Sequence, residues 1–266
     1  MKEFEKREKE LQKLINKRPS ILPEELKSTS FWIQIISDNL SLWETAHEVF
    51  VSQFLVPYVD ERNKEIFEGY GRIGYRIDIE NPNKIKSPFS IAEKILRDLK
   101  SYSSSSPEEF IMENMEKMDD IARCRILCNY TSDMEEIDSC ITSGEFKLPS
   151  DIKYCKDKKK DKRIEVGKSF QKGAHRAIHE YYKKCQGDEK YYYIEVQIMT
   201  FLQEAWDIKQ HPIYEKIRRG KDNKEISYIQ DRFHALSGLL LIADEFAEAT
   251  REKWENQKNN MEGEQK

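Results

Sequence analysis

YYYIEVQIMT, residues 191–200, contains the most informative strand pattern of the sequence. Its aromatic and β-branched residues are typical of a β-strand. Side chains alternate between the two faces of a strand, so Glu195 and Gln197 share one face while the isoleucines and the valine around them share the other. A carboxylate inside an apolar strand is costly unless it is paired or bound to a metal ion. The pattern therefore predicts a strand with one face in the core and one face that carries chemistry.

A second apolar run, IARCRILC at residues 121–128, directly follows two aspartates. Its length and composition predict a short buried strand. Asp120 stands at the beginning of this strand, where it would face the same site as Glu195. Asp119 beside it is a second candidate for this position. Arg125 lies inside the run and needs a carboxylate or a phosphate as its partner. Both partners stay open for Arg125 at this point.

Helical and strand patterns surround these two runs. We expect helices at 3–17, 31–68 with a division at Pro57, 87–99, 131–141, 200–216 and 225–254, a strand at 71–79, and several strands within 145–200. SYSSSSPE at 101–108 predicts a flexible break. This order favours a mixed β-sheet with helices on its faces, an α+β fold. The charged helices at 3–17 and 249–258 predict solvated surfaces.

Composition excludes several classes of protein. The chain has 266 residues and a formal net charge of −4, which does not fit a general nucleic-acid coating protein. Its five cysteines contain no C-x-x-C pair, so neither a disulfide framework nor a zinc ribbon is indicated. No apolar run reaches the length of about 18 residues that spans a bilayer. These features predict a cytoplasmic protein with free thiols and no membrane partner.

Several short motifs together resemble one family. They are KIKSPFSIAEK at 84–94, DIARCR at 120–125, GAHRAIH at 173–179, EVQIMT at 195–200, and Ala205, Trp206, His211 and Tyr214 in the helix that follows. In their order they are similar to the motifs R-x-K-x-x-x-S-I-x-x-K, D-[IL]-x-[GA]-x-R, G-Y-[RQ]-[SA]-[IL]-H and E-[IV]-Q-[IVL]-R-T of RelA/SpoT-type nucleotide pyrophosphokinases. FLVPY at 54–58 resembles the first helix of small single-domain synthetases. The family's hydrolase domain carries a His-Asp dipeptide, which this sequence lacks, so the resemblance is to a stand-alone small alarmone synthetase or its toxin-like relatives.

The resemblance implies an architecture and a reaction. The fold would be a mixed, mostly antiparallel sheet flanked by helices, with a helical extension at 1–44, the synthetase domain at 45–220, and a C-terminal helix and polar tail at 221–266. The reaction would transfer the β,γ-pyrophosphate of ATP to a ribose 3′-hydroxyl, with GDP or GTP as the acceptor. Such a transfer depends on positioning and charge neutralisation, including Mg²⁺ on carboxylate oxygens.

The resemblance also implies roles for individual residues. Asp120 and Glu195 would be the catalytic residues and the Mg²⁺ ligands. The implied ATP-binding residues are Lys84, Lys86, Ser90, Lys94 and Arg125. The implied acceptor-binding residues are His175, Arg176, His179 and Gln197. From spacing alone, the lysines of 84–94 are also compatible with a basic surface helix.

Departures from the family motifs leave the acceptor open. Lys84 stands in place of an arginine and lacks the planar guanidinium that stacks on a base. Arg123 stands in place of a small residue, and His175 in place of a tyrosine that stacks on the acceptor base. Three hypotheses follow: a synthetase of (p)ppGpp-type alarmones, a toxin-like enzyme that acts on tRNA 3′ ends or adenine nucleotides, and a degenerate module that binds without catalysis.

Two further segments suggest partners. KDKKKDKR at 156–163 has six basic residues in eight and predicts either a solvated hairpin loop or a contact for nucleotide or tRNA phosphates. The helix at 225–254 is expected to pack on the domain. Because small family members often associate through terminal helices, the resemblance also implies a possible homo-oligomer.

Overall fold

The computed structural model describes residues 2–18, 20–78, 84–145, 147–161, 177–186, 190–218 and 224–263. The helices are α1 (Lys2–Asn16), α2 (Thr29–Asn39), α3 (Ser41–Phe50), α4 (Val56–Tyr70), α5 (Pro88–Asp98), α6 (Pro107–Glu116), α7 (Thr131–Ser143), α8 (Phe201–Arg218) and α9 (Lys224–Gly263). The strands are β1 (Tyr75–Ile77), β2 (Ala122–Cys128), β3 (Ile152–Tyr154), β4 (Lys160–Asp161), β5 (Ile178–Gln186) and β6 (Lys190–Thr200).

The strands form one mixed sheet in the order β1-β2-β6-β5-β3, with β4 paired to β5. Strands β2 and β6 are parallel, and the other pairs are antiparallel. The predicted α+β fold with a mixed, mostly antiparallel sheet is therefore confirmed. The central register places Arg123 and Tyr181 on either side of Glu195. One sheet face thus gathers side chains from three strands around this glutamate.

The opposite face of the sheet lies in the hydrophobic core. Ile194, Val196 and Ile198 are fully buried there, as the alternation in 191–200 predicts. Trp43 on α3 packs edge-on against Tyr192, with ring centroids 4.8 Å apart. The same core continues into the N-terminal helices, where Leu11 on α1 is fully buried. Residues of the predicted 1–44 extension therefore share the core of the sheet.

The helices differ from the predicted ones around Pro57 and after the serine-rich segment. Helix α4 begins at Val56, beside Pro57 as predicted, but a π-helical turn at Val51–Leu55 joins it to α3. Helix α6 was not predicted, because the serine-rich segment before it was interpreted only as a break. The Ser106 hydroxyl caps α6 by accepting the Glu109 N–H at 3.1 Å, and Pro107 occupies its first turn. Serine at the N-cap followed by proline is a start signal that the sequence already contained.

Helix α9 contacts the carboxyl end of β6 and the start of α7. Asp244 accepts a hydrogen bond of 2.8 Å from Thr200, the last residue of β6. Glu248 accepts the Ser132 N–H at 3.0 Å and so caps the start of α7. The candidate site lies at the opposite end of β2, where Asp120 precedes the strand.

The outer face of α9 exposes large apolar side chains, among them Leu239, Ile242 and Phe246. Self-association through α9 stays a prediction. Within the part of the chain that the structure describes, no helix is long and apolar enough to cross a membrane.

Candidate functional site

The first half of the site is a carboxylate held between two lysines. Lys86 Nζ lies 2.5 Å from Asp120 Oδ2, and Lys94 Nζ lies 2.9 Å from Asp120 Oδ1. Burial favours the neutral form of Asp120, but the two ammonium groups outweigh it and hold the pKa of this carboxyl well below its usual range. Asp120 is therefore ionised at neutral pH. The structure brings together the predicted metal ligand and two of the predicted triphosphate ligands.

Backbone pairing explains why these residues meet. Residues 84–86 run along the start of β2: the Arg123 N–H donates to the Lys84 carbonyl and the Lys86 N–H to the Ile121 carbonyl, both at 2.8 Å. This pairing places the Lys86 side chain beside Asp120. Helix α5 starts directly afterwards and presents Lys94 from its second turn. The segment that contains Lys84 and Lys86 therefore lies beside the segment that contains Asp120.

Lys86 is charged only over part of the accessible pH range. Burial disfavours its ammonium form and lowers its pKa to about 8, although Asp120 acts in the opposite direction. A lysine that has already lost its hydration loses little more when it meets a phosphate. In the structure the partner of the Lys86 ammonium group is the Asp120 carboxylate.

The second half of the site is built around Glu195, whose side chain is buried. Its Oε1 accepts hydrogen bonds from His179 Nδ1 at 2.6 Å and from the Tyr181 hydroxyl at 3.1 Å, and its Oε2 accepts one from Gln197 Nε2 at 3.1 Å. Burial opposes ionisation, but His179 and Arg123 outweigh it and lower the pKa of Glu195 to about 2. The carboxylate is therefore fixed in position and in its charged state.

The two halves adjoin. Arg123 lies opposite Glu195 in the sheet and donates from Nη2 to the Asp120 carbonyl at 3.4 Å. The charge of Asp120 raises the pKa of Glu195 slightly against these effects, so the two carboxylates interact electrostatically. Among the described residues no group of three or more His, Cys, Asp or Glu side chains is arranged to hold a metal ion. Two ionised carboxylates nevertheless have the oxygen donors that a hard cation such as Mg²⁺ prefers, with its other ligands drawn from water or phosphate.

Arg125 lies beside this centre in an ion-pair network. It donates from Nε to Gln197 Oε1 at 3.1 Å and forms ion pairs with Asp207 and, at 3.9 Å, with Glu204 on α8. A buried guanidinium needs such partners. Of the two partners that the sequence left open, the structure shows carboxylates. A contact between Arg125 and a triphosphate stays a prediction.

Three consecutive lysines of the basic stretch place their side chains on different faces of the sheet. Lys158 and Lys160 lie 3.7 and 3.9 Å from Asp119, and they stand over the rings of Tyr193 and Tyr181. The intervening Lys159 points the other way. It pairs with Asp138 at 2.5 Å and with the buried Glu180 at 3.1 Å, where burial raises the pKa of Glu180 to about 7. Two lysines of the stretch therefore lie beside the candidate site, and the one between them anchors the strand.

The remaining predicted site residues lie at the rim, in α5 or outside the described part of the chain. Lys84 is exposed at the rim, and Ser90 stands in the first turn of α5 one turn before Lys94. His175 and Arg176 lie outside the described residues, as do Lys162 and Arg163 of the basic stretch.

Sequence reasoning missed two contacts of this site. Tyr181 reaches Glu195, which the alternation of β5 could have indicated, because it shares a strand face with His179. Arg7 reaches Ser90 from α1, and no local signal in the sequence indicates that contact.

A family model and several solved structures match this chain. A family model described as a region found in RelA / SpoT proteins matches residues 83–219, more than half of the chain. No curated protein matches the sequence at a significant level.

Solved structures are similar in fold at low sequence identity. The small alarmone synthetase 1 from Bacillus subtilis bound to its product pppGpp has a TM-score of 0.56 and 16% identity, over 82% of this chain and 96% of that one. The same protein bound to AMPCPP has a TM-score of 0.54 and 16% identity, over 83% and 97%. A GTP pyrophosphokinase family protein from Streptococcus pneumoniae has a TM-score of 0.57 and 15% identity, over 83% and 95%.

Proposed function

Because the chain belongs to the RelA/SpoT family, we propose that it is a pyrophosphokinase, which transfers the β,γ-pyrophosphate of ATP to the ribose 3′-hydroxyl of a nucleotide. The observation that carries this proposal is the pair of lysines held on Asp120 next to the buried, ionised Glu195. The similar small alarmone synthetase 1 was solved with pppGpp and with AMPCPP, which supports nucleotides as substrates. GDP or GTP is the acceptor that we expect.

The donor half would work by an exchange of ion pairs. When the triphosphate arrives, Lys86 and Lys94 would turn from Asp120 to the phosphate oxygens, and Asp120 would be released for a cation. Lysine acts as a point charge with a flexible stem, so this exchange needs no backbone movement. Ser90 would add a hydroxyl donor at the start of α5, where the helix dipole favours an anion.

Asp120 and Glu195 are the residues that would hold Mg²⁺. The ion would neutralise charge on the phosphate oxygens of ATP. Side chains of this chain would perform the other tasks. They would bind ATP, hold both carboxylates in the ionised state and exclude water from the face of β6 that carries Glu195.

Glu195 is best suited to orienting the acceptor hydroxyl. A general base works best when its pKa lies near the working pH, and the pKa of Glu195 is about 2. It is therefore a weak proton acceptor but a strong hydrogen-bond acceptor, fixed by His179 and Tyr181. We assign it to aligning the 3′-hydroxyl and holding the cation. Positioning of this kind accounts for much of the catalysis in phosphoryl-type transfers.

A second acceptor class is favoured by the basic stretch. Lys160 is exposed beside the site, and Lys158 stands over Tyr193. Exposed cations next to aromatic rings suit the phosphates and bases of a single-stranded nucleic acid end. A tRNA 3′ end is therefore the alternative acceptor, and adenine nucleotides are a further one.

An acceptor panel tests the proposal. The protein is incubated with Mg²⁺ and γ-labelled ATP together with GDP, GTP, GMP, ATP alone or bulk tRNA, and products are separated by thin-layer chromatography or, for tRNA, by gel electrophoresis. We expect label in a guanine nucleotide. Label in tRNA that is lost after Lys158→Glu/Lys160→Glu would favour the tRNA alternative. ATP binding without transfer to any acceptor would contradict the proposal and indicate a degenerate nucleotide-binding module.

The pH dependence provides an independent test of Lys86. Its ammonium form is present below its pKa of about 8 and is lost as the pH rises through that value. We therefore expect kcat/KM for ATP, which reports the free enzyme, to fall above about pH 8. Lys86→Arg should remove this decline, because a guanidinium stays charged. The same decline in wild type and Lys86→Arg would assign it to another group.

A further inference from the structure

We propose that Arg7 on α1 is a positioning residue of the donor-nucleotide site, which it organises through Ser90 and helix α5. This inference rests on the proposed function, since Ser90 and Lys94 are taken as ATP ligands. It adds the N-terminal helix, which the family motifs do not include, to the parts of the chain that determine ATP affinity.

The guanidinium of Arg7 spans the first two turns of α5. Nη2 donates to Ser90 Oγ and to Glu93 Oε1, both at 3.1 Å, and Nη1 lies 3.5 Å from Ser87 Oγ. The Arg7 side chain is 17% exposed and that of Glu93 is 6% exposed, so this is a largely buried ion pair. Arg7 also stands over the Phe89 ring at 5.3 Å. The predicted solvated surface of α1 is therefore wrong for Arg7.

The hydrogen-bond directions leave a donor for a ligand. A guanidinium only donates, so both serine hydroxyls act as acceptors toward Arg7. Ser87 and Ser90 lie 3.0 Å apart and share one hydrogen bond between their hydroxyls. Of their two O–H hydrogens, that bond uses one. Arg7 has no acceptor for the other, which can therefore be donated to a phosphate oxygen at the start of α5.

The charge of Arg7 is unusual at this place. A cation near the N-terminus of a helix is disfavoured by the helix dipole. Glu93 compensates for the charge, and an incoming triphosphate would do so further. Because Ser90 and Lys94 are one turn apart on the same face of α5, a shift of Ser90 is transmitted to Lys94 and to its partner Asp120.

A second arginine on the same N-terminal segment provides a matched comparison. Arg18, just after α1, donates to the carbonyls of Leu99 and, at 3.0 Å, of Arg97 at the far end of α5. Both arginines therefore tie this segment to α5, but only Arg7 contacts the end of α5 that carries Ser90.

The experiment compares Arg7→Ala, Arg7→Lys and Arg18→Ala in the full chain. The dissociation constant of a non-hydrolysable ATP analogue, the KM values for ATP and acceptor, and the Tm are measured for each. We expect Arg7→Ala to raise the analogue Kd and the ATP KM about tenfold with the acceptor KM unchanged. Arg7→Lys keeps a positive charge beside Glu93 and so should fold. One ammonium group cannot reproduce the contacts of the planar guanidinium with both Ser90 and Glu93, so the analogue Kd should rise about fivefold. Arg18→Ala should lower the Tm without changing the Kd.

The possible outcomes separate the two proposals. Equal increases of Kd in Arg7→Ala and Arg18→Ala would show that Arg7 only stabilises the fold, and an unchanged Kd in Arg7→Lys would also overturn the inference. In both cases wild-type binding and transfer would leave the proposed function intact. A wild-type chain that binds no ATP analogue would overturn the proposed function and this inference together.

Discussion

Replacing Glu195 by glutamine should lower kcat for pyrophosphate transfer by about a thousandfold. Glutamine has nearly the same shape but no charge, and its amide places a donor where one of the two carboxylate oxygens now accepts from His179, Tyr181 or Gln197. The variant therefore loses both the cation ligand and the fixed acceptor for the 3′-hydroxyl. The measurement is single-turnover transfer from γ-labelled ATP with the preferred acceptor of the panel.

Glu180→Gln is the matched control for this prediction. Glu180 is also a buried glutamate of the central strands, but it pairs with Lys159 on the face away from the site. Because burial raises its pKa to about 7, glutamine resembles a form that Glu180 already populates near neutral pH. We expect Glu180→Gln to keep most of the activity. Equal activity of Glu195→Gln and wild type would refute the role of Glu195.

Asp120→Asn should lower kcat/KM for ATP by at least about a hundredfold. The change removes a cation ligand and also leaves Lys86 and Lys94 without the carboxylate that now separates them. Because Asp120 raises the pKa of Lys86, its loss should move that pKa below about 8. The decline of kcat/KM with rising pH should therefore begin at a lower pH in the variant than in wild type. A pH profile of kcat/KM for both proteins measures this shift.

Asp119→Asn tests whether the neighbouring aspartate has the same role. Asp119 is the alternative candidate from the sequence, and it faces Lys158 and Lys160 instead of the donor lysines. We expect a smaller loss in kcat/KM for ATP and no shift of the pH profile. A larger loss in Asp119→Asn than in Asp120→Asn would transfer the proposed metal role to Asp119.

Much of the fold could be predicted because its signals are local. The alternation in β6 identified the core face and the polar face, and the apolar run after Asp120 identified β2. Helix α6 was missed although Ser106 and Pro107 mark its start. That error came from giving the serine-rich composition more weight than the capping signal.

The residue pairs of the candidate site were harder to predict from the sequence. Ser90 and Arg7 are 83 positions apart, and Lys86 and Asp120 are 34 apart. Lys158, Lys159 and Lys160 are consecutive, yet the middle lysine points to the opposite face of the sheet. The basic composition of this stretch indicated charge but did not indicate which lysines lie beside the site.

Local sequence patterns were enough to predict the two faces of β6 and the position of Asp120 at the start of β2, and they contain the family motifs in order. These depend on periodicity and spacing over a few residues. The two lysines on Asp120, the hydrogen bond from His179 to Glu195 and the contact of α1 with α5 through Arg7 became visible only in the folded chain. Those contacts arise from strand register and helix packing, which bring together residues from distant parts of the chain.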